Sequence, residues 1–143
     1  KEKSLALAES CTGGLIASKL TDISGASTFL TLGVIPYDNH FKTQLLDVPS
    51  TLIEAHGAVS YEVAESMAIQ VRKLGKADIG VAVTGIAGPD GGTEEKPVGT
   101  VYIGVATQDE VNVGRHRFLG DRNRVQLKTA YEAMLMVKKR LKI

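Results

Sequence analysis

The hydrophobic and polar positions along this chain follow two alternating patterns. Runs of consecutive or alternating apolar residues predict five strands, at 4–9, 29–37, 79–83, 98–106 and 111–118. Apolar residues spaced three or four positions apart predict helices at 12–21, directly after Asp38 or Asn39, at 50–55, between Ser60 and Gly75, and at 122–141. The alternation of strands with helices indicates an α/β fold. The last two strands are joined by a short polar segment, which predicts an antiparallel hairpin and therefore a mixed sheet.

Composition and charge are those of an ordinary globular domain. The 143 residues are 43% hydrophobic and 23% charged, so we expect one domain, residues 1–143, with its own core. The 17 Lys and Arg residues against 16 Asp and Glu residues leave a net charge of +1, which argues against nucleic acid as a partner. No apolar run approaches the ~20 residues that a membrane span needs, and no signal peptide is visible, so no membrane partner is expected.

The cysteine and histidine content narrows the possible chemistry. The single cysteine, Cys11, excludes an internal disulfide and fits a reducing cytoplasm. No cysteine and histidine pair has the spacing of metal ligands and the carboxylates are scattered, so neither a metal nor another cofactor is expected. The chain does not begin with Met and its first strand begins almost at once, so we expect an upstream helix or domain in the parent protein.

Three polar segments, at 9–14, 37–42 and 84–93, each follow a predicted strand. In α/β sheets, ligands bind in the crevice beyond the carboxyl ends of the strands. If these three strands are parallel neighbours, the three segments converge on one pocket. The first segment stands where a strand turns into a helix. Unpaired backbone N–H groups and the positive end of the helix dipole favour an anion or a developing oxyanion at such a turn.

The hydroxyl and thiol groups of the first segment are the candidate nucleophiles. Ser10 can be presented on a sharp turn with stabilising donors beside it. The alternative is that Ser10 or Thr12 only caps the helix. Cys11 is either a second nucleophile, with a pKa lowered by the helix N-terminus, or a small buried residue behind Ser10.

A serine nucleophile needs a base that removes its proton. Lys42, which follows the second strand, is a candidate if burial lowers its pKa, and Tyr37 could relay a proton or orient the lysine. The alternative places Lys42 in solvent on a short helix. The histidines have no distinctive spacing relative to Ser10 and are not excluded as bases: His40, His56 and His116.

The third segment is rich in glycine, which permits close approach of its backbone to a ligand, and Thr84 can donate a hydrogen bond there. Its residues do not follow the sequence motif of a P-loop or that of a dinucleotide-binding fold. The alternative is that the segment forms a surface hairpin or lid without a ligand. Three charges within the loop that follows are expected to be solvated: Glu94, Glu95 and Lys96.

Two arginines, Arg122 and Arg124, begin the last predicted helix. Positive charge at a helix start is opposed by the helix dipole, and binding of a phosphate or carboxylate is one explanation for it. The alternative is that both arginines face solvent or pair with Asp121.

Five motifs together resemble the CinA C-terminal domain family: E-S-C-T-G-G, V-I-P-Y-D-N-H-F-K, G-A-V-S, T-G-I-A-G-P-D-G-G-T-E-E-K-P-V-G-T-V and G-D-R. The resemblance extends from Leu5 to the final helix. It implies a three-layer α/β/α sandwich, found alone or behind a separate N-terminal domain in competence- and damage-inducible proteins. It also implies a nicotinamide-nucleotide amidase, which converts nicotinamide mononucleotide and water to nicotinate mononucleotide and ammonia.

The resemblance assigns the nucleophile to Ser10 and the rest of the catalytic group to Lys42 and Tyr37. The expected substrate-binding positions are Glu9, Cys11, Thr12, Gly13, Gly14, Thr84, Gly85, Arg122 and Arg124. The expected partner is a pyridine mononucleotide, and the sequence leaves open whether the chain forms a homodimer. A different class of function is also open, namely a regulatory module that binds a nucleotide or phosphate without changing it and is linked to competence or DNA damage.

Overall fold

Five strands form one mixed sheet in the computed structural model, which describes residues 3–142. The strands are β1 (Leu5–Ala8), β2 (Leu30–Val34), β3 (Ile79–Gly85), β4 (Thr100–Ala106) and β5 (Val111–Arg117). Their order across the sheet is β2-β1-β3-β4-β5. The first three are parallel, and β4 is antiparallel to both of its neighbours. The predicted mixed sheet and the hairpin of its last two strands are therefore confirmed.

Helices cover both faces of the sheet. They are α1 (Leu15–Thr21), α2 (Asn39–Leu46), α3 (Ser50–His56), α4 (Tyr61–Leu74) and α5 (Arg122–Leu141), with a 3₁₀ turn at Ala26–Thr28. The apolar sides of α1 and α5 pack on one face, and α4 packs on the other with α2 and α3 beside it. This arrangement is the three-layer α/β/α sandwich that the resemblance implies.

The two faces of the central strands carry side chains of different size. Large residues of β1 and β3 face α1 and α5: Leu5, Leu7, Ile79 and Val81. The residues between them are small: Ala6, Ala8, Gly80 and Ala82. At Gly80, a Cβ atom would lie 2.3 Å from the carbonyl oxygen of Ala68, so α4 packs directly against the strand backbone. A larger residue at this position would displace α4 from the sheet.

The structure shortens two of the predicted elements that border the first two polar segments. The strand predicted at 29–37 ends at Val34, three residues before Tyr37. Pro36 has no N–H group to donate to a strand ladder, which explains the early end. The helix predicted from residue 12 begins at Leu15, because residues 10–14 form a turn first. Among the described residues, no helix is both long and apolar enough to cross a membrane.

Candidate functional site

The carboxyl ends of β1, β2 and β3 surround a cavity of about 200 Å³. The three strands are adjacent and parallel, so their ends lie at the same edge of the sheet. The three polar segments of the sequence meet there, joined by the segment between α3 and α4. Residues that line the cavity include Ser10, Cys11, Tyr37, Lys42, Val59 and Thr84.

The side chain of Lys42 contacts the hydroxyl of Ser10 in this cavity. The Lys42 Nζ atom lies 3.3 Å from the Ser10 Oγ atom. It also donates to the carbonyl oxygens of Pro36, at 3.0 Å, and Tyr37, at 3.1 Å. The lysine side chain is only 1% exposed, so the interpretation that places Lys42 in solvent is wrong. Within residues 3–142, no carboxylate forms an ion pair with it.

Burial determines the protonation of this lysine. It lowers the pKa of Lys42 below the ordinary 10.5, because the charged ammonium loses its hydration. The negative charge of Asp38 raises the pKa and opposes part of this effect. The Asp38 carboxylate is itself oriented by a hydrogen bond from the His40 N–H, at 2.8 Å, at the start of α2. A larger fraction of Lys42 is therefore neutral near physiological pH than for a solvated lysine, and the neutral amine can accept the Ser10 proton.

The pKa of the thiol beside Ser10 shifts in the opposite direction to that of Lys42. Burial raises the pKa of Cys11 from 9.0 to about 12, although its own backbone N–H lowers it in part. The lowered pKa expected for Cys11 at the helix N-terminus is therefore wrong, and its burial fits the interpretation of a small residue behind Ser10. Its sulfur packs close to Gly85, where a Cβ atom would lie 3.1 Å from the Sγ atom.

The carboxylate of Glu9 lies under the turn rather than in the cavity. It accepts hydrogen bonds from the Thr12 hydroxyl, at 2.6 Å, and from three backbone N–H groups at the start of α1. Those groups belong to Gly14, Ile16 and Ala17, at 3.2, 2.9 and 2.8 Å. This internal carboxylate therefore caps α1, in place of the serine or threonine cap considered from the sequence. It also supplies the negative charge that the helix dipole favours, which opposes a ligand phosphate at the same place.

The internal hydrogen bonds of the turn leave few donors for an oxyanion. The Gly13 N–H donates to the Ser10 carbonyl at 3.1 Å, and the Gly14 N–H is used by Glu9. Among the described residues, the backbone N–H of Thr12 has no acceptor. The donors expected at residues 11–14 are thus reduced to the N–H groups of Cys11 and Thr12.

Replacing Glu9 with alanine is expected to lower the free energy of unfolding by about 3 kcal/mol, because three N–H groups and a buried hydroxyl lose a charged acceptor. Urea denaturation measures this difference. The control is Glu54→Ala in α3, where the carboxylate is exposed and the expected change is within about 0.5 kcal/mol. Equal denaturation midpoints for the two variants would contradict the capping role.

Arg122 bridges two of the converging segments beside the cavity, although it is not one of the residues that line the cavity. Its Nη1 group donates to the carbonyl oxygen of Gly88 at 2.6 Å, and its Nη2 group donates to the Tyr37 hydroxyl at 3.0 Å. The Tyr37 side chain is 57% exposed, and its backbone carbonyl, not its phenol, contacts Lys42. The structure therefore gives the phenol a position beside the arginine. The predicted proton relay from the phenol to the lysine has no hydrogen bond to support it.

The second arginine is oriented differently. The backbone N–H of Arg124 donates to the Asp121 carboxylate at 2.9 Å, which caps α5. Its side chain lies along Gly120, where a Cβ atom would be 2.9 Å from the arginine Cβ. Arg124 is not among the residues that line the cavity. Of the two arginines, Arg122 is the one that contacts a cavity residue.

Polar residues of the third segment and of the loop that follows it contact other parts of the protein. The Thr84 hydroxyl donates to the Ala58 carbonyl at 2.8 Å, so it supports the segment before α4. The Lys96 Nζ atom donates to the His56 carbonyl at 2.7 Å, at the C-terminal end of α3. The prediction that Lys96 is merely solvated is therefore wrong, since it connects the glycine-rich loop to α3.

The three histidines lie away from Ser10, and none of them lines the cavity. The His56 Nδ1 atom lies 3.6 Å from a Glu62 oxygen on the surface. The His116 ring stacks on Phe118, with the ring centroids 5.4 Å apart. Of the bases considered from the sequence, only Lys42 contacts the serine hydroxyl.

Sequence reasoning missed one residue that contacts the serine turn. The Gln126 Nε2 group, in α5, donates to the Cys11 carbonyl at 2.9 Å. The two residues are 115 positions apart, so no local spacing could indicate the contact. It also missed three residues of the cavity lining, Asn39, Ala58 and Val59, and the G-A-V-S motif was the available signal for the last two.

Comparison with known sequences identifies similar proteins over nearly the whole chain. The family model described as the CinA C-terminal domain matches residues 1–141. A CinA-like protein of Geotalea uraniireducens is 55% identical over 96% of this chain and 33% of its own length. A putative competence-damage inducible protein of a Thermoanaerobacter species is 52% identical over the same shares of the two chains. This chain thus spans about a third of the length of the curated relatives it matches.

Solved structures show the same similarity in three dimensions. The competence damage-inducible protein A of Klebsiella pneumoniae has a TM-score of 0.95 and 32% identity, covering 99% of this chain and 88% of that one. The competence/damage inducible protein CihA of Agrobacterium tumefaciens has a TM-score of 0.93 and 38% identity, covering 95% of this chain and 84% of that one.

Proposed function

This chain belongs to the CinA C-terminal domain family, and we propose that it is a serine amidase that hydrolyses the carboxamide of nicotinamide mononucleotide. The products are nicotinate mononucleotide and ammonia. The observation that carries the proposal is the 3.3 Å contact between the Lys42 Nζ atom and the Ser10 Oγ atom. A serine hydroxyl next to a buried amine without a carboxylate partner has the arrangement that general-base activation needs.

The first half of the reaction forms an ester. Neutral Lys42 accepts the Ser10 proton as the Oγ atom attacks the carboxamide carbon, and the carbonyl oxygen becomes an oxyanion. The free N–H of Thr12 is the donor proposed for that oxyanion. The protonated lysine then donates its proton to the amide nitrogen, the C–N bond breaks, and ammonia leaves.

The second half of the reaction consumes water. A water molecule takes the place of ammonia, and Lys42 accepts its proton as the water oxygen attacks the ester carbon. The ester bond breaks, the proton returns to the Ser10 oxygen, and nicotinate mononucleotide leaves. The whole cycle uses one amide and one water and needs no metal or redox step.

The size and charge of the site support a small aromatic amide with a phosphate at a distance. The cavity of about 200 Å³ beside Ser10 is of the size of a pyridine ring with its carboxamide. The guanidinium of Arg122, an exposed residue, donates to the phenol of Tyr37, which lines this cavity. Arginine binds phosphate by paired hydrogen bonds, so we assign the substrate phosphate to Arg122 rather than to the α1 N-terminus, which Glu9 already fills.

A substrate series tests this assignment. Initial rates are compared for nicotinamide mononucleotide and for nicotinamide riboside, which has the same amide but lacks the phosphate. We expect kcat/KM to be about 10- to 100-fold higher for the mononucleotide, the value of one or two charged hydrogen bonds. Equal values would contradict phosphate recognition. Binding of the mononucleotide without any turnover would instead favour a regulatory module that leaves its ligand unchanged.

The lowered pKa of Lys42 predicts how activity and stability depend on pH. Since the neutral amine is the base, kcat/KM is expected to rise with pH to a plateau, with its midpoint below the ordinary lysine value of 10.5. The unfolded chain keeps this lysine protonated to higher pH than the folded chain does. The free energy of unfolding is therefore expected to rise as the pH increases from the folded pKa of Lys42 towards 10.5.

Rate measurements across this range, with urea denaturation at each pH, check both effects. The rise in stability is expected to be smaller in Lys42→Met, which has no amine at this position. A midpoint at or above the ordinary lysine value, or an activity that falls as pH increases to that value, would contradict the role of a neutral Lys42.

A further inference from the structure

A hydrogen bond from the second turn of α5 reaches the turn that contains Ser10. The Gln126 Nε2 group donates to the carbonyl oxygen of Cys11 at 2.9 Å. Because a carbonyl oxygen only accepts, the amide nitrogen of the glutamine must face it. Gln126 does not line the cavity, and the reaction proposed above gives it no role.

The carbonyl that Gln126 contacts fixes the direction of a neighbouring donor. The Cys11 C=O and the Thr12 N–H belong to the same peptide group, which is planar and trans, so they point in opposite directions. The carbonyl faces α5, on one side of the sheet. The Thr12 N–H therefore points away from the Gln126 amide and from α5.

The Thr12 N–H is also one of the two donors at residues 11–14 that the turn leaves unused among the described residues, the other being the Cys11 N–H. The N–H groups of the following residues donate within the protein: Gly13, Gly14, Leu15, Ile16 and Ala17.

We propose that Gln126 is a positioning residue that orients the Cys11–Thr12 peptide so that the Thr12 N–H stabilises the oxyanion formed at Ser10. The proposal rests on the amidase function. A donor contributes to catalysis only when it already points to where the charge develops, since reorientation during the reaction would cost what the hydrogen bond gains. Loss of Gln126 therefore lowers kcat and leaves substrate binding unchanged.

Two substitutions of Gln126 distinguish the effect of its hydrogen bond from the effect of its side-chain packing. Gln126→Met keeps the length of the side chain and removes the donor, and Gln126→Lys restores a donor. We expect Gln126→Met to lower kcat for nicotinamide mononucleotide about tenfold with KM unchanged, and Gln126→Lys to recover most of the loss. The matched control is Lys128→Met, which removes a similar bond from the same helix, 2.6 Å to the Leu119 carbonyl, outside the cavity. It should keep the wild-type kcat.

A second readout does not depend on the amide substrate. A fluorophosphonate reacts with an activated serine when the Oγ atom forms a bond to phosphorus, fluoride leaves, and the serine proton passes to the base. The developing negative charge lies on the phosphoryl oxygen, where the Thr12 N–H would also act. Intact-protein mass spectrometry gives the rate of this reaction. We expect it to fall about tenfold in Gln126→Met and to be unchanged in Lys128→Met.

The two readouts distinguish failure of the proposed amidase function from failure of the positioning role of Gln126. Wild-type protein that reacts with the fluorophosphonate but releases no ammonia would contradict the proposed substrate, and a slower Gln126→Met would still support the positioning role. Equal fluorophosphonate rates for Gln126→Met and wild type would overturn it, and so would equal losses in Gln126→Met and Lys128→Met. Wild-type protein inert in both assays would overturn both proposals.

Discussion

Replacing Ser10 with alanine is expected to lower kcat for nicotinamide mononucleotide by about 10⁴-fold or more. The alanine removes the atom that forms the ester, and the remaining groups of the site cannot replace a nucleophile. Its effect on stability should be small, because the hydroxyl is at the edge of a cavity and its hydrogen-bond partner, Lys42, keeps two carbonyl acceptors. Ammonia release under saturating substrate measures the change in kcat.

The matched control for this substitution is Ser18→Ala. Ser18 is exposed on α1, about one helical turn beyond the turn at residues 10–14, and the substitution should leave kcat unchanged. Ser10→Ala that keeps wild-type turnover would exclude the acyl-enzyme. A loss of the same size in both variants would indicate damage to α1 rather than removal of a nucleophile.

Replacing Lys42 with methionine is expected to lower kcat about 10³-fold, because Ser10 loses the base that accepts its proton. Methionine has nearly the length of the lysine stem and suits its buried position. Ammonia release across a range of pH measures the loss, and the variant should also lose the rise of kcat/KM with pH. Lys19→Met, an exposed substitution on α1, is the control and should leave both properties unchanged.

A second variant separates the base from the positive charge. Lys42→Arg keeps a cation that cannot become neutral in a protein, so it should be about as inactive as Lys42→Met. Circular dichroism tests whether each variant is folded. A folded Lys42→Arg protein with wild-type activity would remove the lysine as the base and leave the role of Ser10 open.

The pattern of apolar residues was sufficient to predict an α/β fold with a mixed sheet, and the resemblance implied its three layers. The polar segments were expected to meet only if the three strands before them were parallel neighbours, and the structure shows that they are. The burial of Lys42 also has a sequence signal, because it lies four residues before the buried Leu46 and therefore on the same face of α2. A lysine on the apolar face of a short helix is therefore a candidate for burial, although its charge alone would predict exposure to solvent.

The roles within the turn could not be predicted from the sequence. A glutamate, a serine and a threonine before two glycines all suggest ligand contact. Only the three-dimensional path of the turn shows that Glu9 accepts from donors up to eight positions later. The contacts of α5 join residues that are even further apart in the sequence, since Arg122 donates to Tyr37, 85 positions before it. Contacts of this kind depend on how α5 packs on the sheet, and no local pattern encodes them.

Simultaneous measurement of both products from nicotinamide mononucleotide tests whether this protein is an amidase. Purified protein is incubated with the substrate, ammonia is quantified enzymatically, and the nucleotides are separated by chromatography. A serine amidase is expected to release equal amounts of ammonia and nicotinate mononucleotide over many turnovers, with almost none from Ser10→Ala. This function would be contradicted by the absence of ammonia, by release of free nicotinamide instead, or by undiminished turnover in Ser10→Ala.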